Sequence, residues 1–219
     1  MKNVTKQIAK TTLAIAIAGI STNSLGENWS STKADLLYSE SYGADADDSK
    51  SILTIAHAGG FDWGKQFFFF DTSDIGGNGD NQEIYGEWHV DASSKELLGI
   101  DYGDGFIKDI YLSPEINLVS NDFNKKRVDL IGIKLGLNVP GFKFVDVSLK
   151  YRDDPDKQGS SLQFSSSWLQ NFQLGSQDFE FNGFIDVFQS EGGDEAGFMT
   201  QPQLLWLPLK SLAVGVEYQ

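Results

Sequence analysis

The chain has 219 residues, a formal net charge of -14 at pH 7 and no cysteine. Such acidity excludes the basic footprint a nucleic-acid binder needs, so no nucleic-acid partner is expected. The missing thiols exclude disulfides and thiolate metal sites.

The N-terminus comes first. Lys2, Lys6 and Lys10 precede the apolar run Thr11 to Ile20, and Ser24 and Gly26 supply small residues before Glu27. A positive stretch, a short apolar stretch and a small-residue site form an export signal. The run falls short of the roughly 20 residues a membrane-spanning helix needs. Residues 1–26 are therefore predicted to be a removable signal peptide, and 27–219 to be the exported part, folded as one domain or one barrel. Removing three lysines and no acid makes that part more acidic still.

From Trp29 onward the pattern has period two, the signature of strands, interrupted by clusters of Gly, Asp, Asn and Ser. Predicted strands cover 33–42, 50–58, 66–72, 83–91, 108–120, 129–137, 143–152, 161–168, 178–188, 197–207 and 212–218. Acidic or Gly-rich loops follow several of them, such as 43–48 and 73–81. Pro114 lacks a ladder donor, which predicts a bulge within 108–120. The run Phe67 to Phe70 stands out because a strand alternates its faces, so four consecutive rings put aromatic surface on both. Gln66 argues for one phase of that run and Asp71 for the other.

Two architectures fit such alternation. A soluble sandwich or barrel buries the apolar face, whereas a membrane barrel turns it to lipid and keeps the polar face inside. The export signal, the absence of cysteine and the aromatics near strand ends (Tyr42, Trp63, Trp88, Tyr151, Trp168, Trp206, Tyr218) favour an antiparallel transmembrane β-barrel of about 11 strands. A soluble periplasmic ligand-binding barrel is the alternative.

Several segments carry a family resemblance. They are Trp63-Gly-Lys-Gln-Phe-Phe-Phe-Phe-Asp71, Tyr85-Gly-Glu87, Asn138-Val-Pro-Gly-Phe142, Val147-Ser-Leu-Lys-Tyr-Arg-Asp-Asp154, Phe181-Asn-Gly-Phe-Ile-Asp186 and Thr200-Gln-Pro-Gln-Leu-Leu205. In this order, and spread from Trp29 to the last residue, they resemble the nucleoside-specific channel-forming outer-membrane proteins (Tsx/OmpK-like). The resemblance implies a monomeric barrel of about 12 strands in the outer membrane of Gram-negative bacteria. It also implies a narrow channel for nucleosides or similar small polar solutes and, in some members, a surface used by bacteriophage. This chain stops at Glu217-Tyr-Gln219, before a final aromatic-ended strand, and is read as C-terminally incomplete or differently closed.

The membrane reading makes the inward set functional. Phe68, Phe70, Tyr85, Glu87, His89, Tyr111, Glu115, Lys150, Arg152, Glu180, Phe184, Asp186 and Phe188 are the predicted lumen residues, with Asp109 and Asp146 on the same faces. Carboxylates and basic groups there can hydrogen-bond sugar hydroxyls, and rings can stack on a base. Any one of them could instead only solvate a wet interior. Catalysis has little support: His57 and His89 are the only histidines and no Gly-x-Ser-x-Gly elbow is present. No cofactor is expected. The acidic loops at 45–48 and 153–156 could gather Ca²⁺ only weakly, and 74–85 breaks the EF-hand pattern with Tyr85 at its last position. A non-conducting barrel serving as a surface interaction protein is the remaining alternative.

Overall fold

In a computed structural model, the described residues are 11–18, 26–39, 49–74, 82–121, 124–193 and 195–219, with side chains described from Gly26 onward. The predicted loop 43–48, positions 75–81 of the predicted loop 73–81, and Tyr42 lie outside them. The fold is all-β and antiparallel. Its strands are β1 (Thr11–Ala18), β2 (Trp29–Ser39), β3 (Lys50–Phe61), β4 (Gly64–Ser73), β5 (Glu83–Ser93), β6 (Ile107–Asn121), β7 (Lys125–Leu137), β8 (Phe144–Asp153), β9 (Ser161–Leu174), β10 (Gln177–Phe188), β11 (Gly197–Thr200), β12 (Gln203–Leu209) and β13 (Leu212–Tyr218). One short helix, α1 (Ser94–Leu98), interrupts them.

Each of the 11 predicted strands is present, and 197–207 is split into β11 and β12. Both pieces pair with β10, β11 along Ile185–Phe188 and β12 along Asp178–Asn182. Sequential strands pair from β1 to β10, and β12 pairs with β13. β1 then lies between β13 and β2, so the pairings return to their starting strand in a barrel-like sheet. The eight residues in that position belong to the apolar stretch predicted to be an export signal.

Pro114 does not create the predicted bulge. The β5–β6 ladder lapses opposite Ser113 and Pro114 and resumes in the same register, His89 with Glu115 and Ala92 with Leu112. Only one donor is lost, and the flanking pairs hold the alignment. The register shift of β6 falls instead at Ile107/Asp109, against β7.

Burial is inverted relative to a water-soluble domain. Leu36, Ile55, Trp88, Leu112, Ile131, Ile133, Leu149, Tyr151, Phe164 and Trp206 are exposed on the outside. Inside, Asp35, Asp91, Asp109, Glu115, Asp146, Lys150 and Glu217 are buried. Among the described residues, Leu37, Leu205 and Ala213 form a small buried apolar cluster with Ile52 and Leu207 against it, and Ala56, Val128 and Leu130 are buried as well. With its 15 residues, β6 spans about 50 Å of chain, roughly 38 Å of height at a barrel tilt of about 40°. The C-terminal ends of β4, β6, β8 and β10 share the upper end; the turns after β3, β5, β7 and β9 share the lower end.

Candidate functional site

Directly paired residues share a face, so the buried charges fix the phase of the whole sheet. His89 pairs with Glu115 across β5 and β6, and Phe67 pairs with His89 across β4 and β5. Lys65, Phe67, Phe69 and Asp71 therefore face inward, opposite Asp91, His89, Glu87 and Tyr85. Phe68 and Phe70 face outward beside Trp88 and Gly86, which corrects their predicted place in the lumen. Ring contacts agree: Phe67 meets His89 at 5.7 Å and Phe69 meets Tyr85 at 5.8 Å, whereas Phe68 stacks on the outer His57 at 5.1 Å. Gln66 is the misleading residue, because its amide accepts the Trp88 Nε1 hydrogen on the outer face (3.4 Å). Asp71 is the true guide, accepting the Thr54 hydroxyl inside (2.6 Å).

The remaining predicted residues fall on the inner face and divide by height. In the middle, Tyr85 donates its hydroxyl to Glu87, and His89 lies between two acids, with Nε2 2.8 Å from Glu87 and Nδ1 3.1 Å from Glu115. Lys150, only 1% exposed, pairs with Glu115. It reaches across β7 at Gly132, its own register partner, where no side chain stands in the way. Nearer the lower end, Lys65 lies 4.7 Å over the Tyr111 ring and 2.6 Å from Asp146. Lys134 pairs with Asp91 at 2.8 Å, and Ser113 donates to the same carboxylate at 2.7 Å. Lys65 on β4 and Asp146 on β8 stand four strands apart, so their ion pair crosses the interior rather than following the wall.

At the upper end Arg152 pairs with Glu191 and lies 5.8 Å from the Phe188 ring centre. Glu191 also accepts the Asp154 backbone N–H (2.8 Å) and the Ser161 hydroxyl (3.2 Å), tying the loop after β8 to the loop after β10. Beside it, Asp154 is buried, which raises its carboxyl pKa. The hydrogen bond from Lys126, the Asp156 backbone N–H and the nearby Lys157 outweigh that and hold it below the ordinary carboxylate value. Glu180, Phe184 and Asp186 lie on the inner face of β10, below Phe188. Glu180 accepts from Asn182 at 2.8 Å and joins none of the groups above.

Lys65, Phe67, Phe69, Lys134 and Glu191 are inner residues missing from the predicted set. The first three follow once the phase of β4 is known. Lys134 stood in the alternation of 129–137, but that strand's polar face is mostly glycine. Glu191 carried no signal because it belongs to a loop.

Among the described residues, Glu87, His89 and Glu115 form the group whose ligand atoms lie close enough together for a metal, within 4.8 Å. Their geometry fits an ion-pair bridge better. The two carboxylates face different ring nitrogens, so a metal bound at either nitrogen would meet the acid on that side while the other stayed across the ring. Lys150 moreover already holds Glu115. No family model matches the chain, and neither does any curated protein compared with it.

Proposed function

We propose that this chain forms an outer-membrane barrel that passes small polar solutes, nucleosides being the class implied by its resemblance to the nucleoside-specific channel proteins. The inverted burial carries this reading. Burying a large aliphatic or aromatic side chain is worth about 1.5–3 kcal/mol, so a wall of exposed Leu, Ile and Trp favours lipid over water. Buried carboxylates and lysines need partners and water, which a polar lumen provides.

The inner wall offers a solute two kinds of contact. Phe67, Phe69, Phe184 and Phe188 offer ring faces, each worth roughly 1–3 kcal/mol when a base stacks on it. Glu87 and Arg152, both partly exposed, offer an acceptor and donors to hydroxyls, whereas Glu115 and Lys150 are taken up by each other. Several modest contacts in series suit a channel, which must release what it binds.

Outer-membrane fractionation with heat-modifiable migration tests the location; recovery as a soluble periplasmic protein overturns it. In planar bilayers, nucleosides are expected to block the current where sugars of similar size do not. Phe184→Ala should weaken that block by about tenfold, and an unchanged block removes Phe184 from the site. The Lys65–Asp146 bridge favours a second reading, a non-conducting barrel whose loops bind a partner such as bacteriophage. Membrane insertion without conductance would support it.

A further inference from the structure

The lower-end excursion between β5 and β6 carries an apolar group that the barrel wall does not use. Helix α1 buries none of its residues, and Leu97, Leu98 (73% exposed), Ile100 and Phe106 (65% exposed) are all exposed. The segment is nonetheless held firmly. Ser93 Oγ accepts the Glu96 N–H at 3.0 Å, and Asp109 accepts the Lys95 N–H at 3.2 Å and the Ser94 hydroxyl at 3.3 Å. Gly99, at φ 67°, ends the helix by returning its N–H to Lys95. At the far end, the Phe106 carbonyl accepts the Asn138 N–H at 2.8 Å.

Two further observations say what covers this group. Phe106 directly precedes β6, at the lower end of the outer row that holds Ile110 and Leu112, so the apolar group adjoins the outer wall. Lys108 and Lys143 line a shallow cavity of about 320 Å³ beside that row, together with Leu137 and Phe142. Lys95, Lys108 and Lys143 stand among the exposed carboxylates of Glu96, Asp101 and Asp104, and apolar side chains set among charges of both signs match the boundary between acyl chains and headgroups.

We propose that the 94–106 segment is an interfacial anchor. Leu97, Leu98, Ile100 and Phe106 enter the edge of the acyl region, and Lys108 and Lys143 meet lipid phosphates. This rests on the membrane reading above. The absence of cysteine allows single-site spin labelling of the full chain in phosphatidylethanolamine/phosphatidylglycerol vesicles. Labels would replace Leu98 (Leu98→Cys), Ile133 in the mid-wall (Ile133→Cys) and Ser160 in the upper loop (Ser160→Cys). The ratio of collision rates with oxygen and with a water-soluble nickel chelate should be at least roughly threefold higher at Leu98 than at Ser160. A Leu98 label as open to nickel as Ser160 overturns the anchor, and so does one shielded from both reagents, which means protein packing. A nickel-accessible Ile133 label would instead defeat the membrane reading, whatever Leu98 does.

Discussion

At the residue scale, Lys65 has the largest reach. Its side chain lies over Tyr111 and joins Asp146 from four strands away. If solutes pass this level, that bridge narrows their path. Lys65→Met should therefore raise single-channel conductance by a factor of about two, since it removes a charged obstacle while keeping the length of the side chain. Unchanged conductance would place the bridge outside the path. The phenylalanine run teaches a related lesson. Alternation in the sequence said that two rings face each way, but Gln66 and Asp71 pointed to opposite phases. The register settled it, through Phe67 opposite His89 and Phe69 opposite Glu87.

At the element scale, two connections depend on local chemistry. Gly64 opens β4 at φ 144°, a region that disfavours other residues, and an added Cβ would strike the Asp91 carbonyl. Gly64→Ala should cost about 1–3 kcal/mol, read as a lower midpoint in urea unfolding from vesicles. At the upper end, the Asp154 carboxylate pins the loop after β8 through Lys126. Its depressed pKa gives a definite sign. The stabilisation is fully present above the unfolded value of about 3.9 and is lost as pH falls through the lower folded value. Hydrogen exchange at 154–160 should therefore quicken, beyond the intrinsic pH effect, only in strongly acidic buffer. Asp154→Asn should quicken it at neutral pH, by an opening free energy lowered about 1–3 kcal/mol. Equal protection in the variant would remove Asp154 from the tie. The glycines of β7 matter for what they leave out. Without a side chain, Gly132 lets Lys150 cross to Glu115, and Gly136 sits between Tyr111 and Asp146.

At the scale of the whole molecule, one stretch carries two incompatible roles. Thr11–Ala18 reads as the apolar part of an export signal, yet it pairs with β13 from Thr11 opposite Tyr218 and with β2 from Leu13 opposite Tyr38. If export removes residues 1–26, the facing edges of β13 and β2 become free to pair with another strand of the same direction. The chain has no native cysteine, so Ala16→Cys with Ala213→Cys makes an unambiguous probe of these direct register partners. A disulfide should form in the unprocessed chain and be absent from the exported form, whose N-terminus should be Glu27. A bridge in the exported form would overturn the export-signal reading.

The sequence by itself determined the class of fold, the strands after Trp29 apart from the break between β11 and β12, and the inner faces of β5, β6, β8 and β10. Period-two patterning is local, and each of those strands has one apolar and one polar side. Only the tertiary structure decided the phase of β4, the crossing of the interior by Lys65, and the joining of Glu191 to Arg152. Those depend on which residues from distant strands meet, and no local pattern encodes that. The same holds for α1. No predicted strand covers Leu97 and Leu98, and their position beyond the end of the sheet leaves them bare.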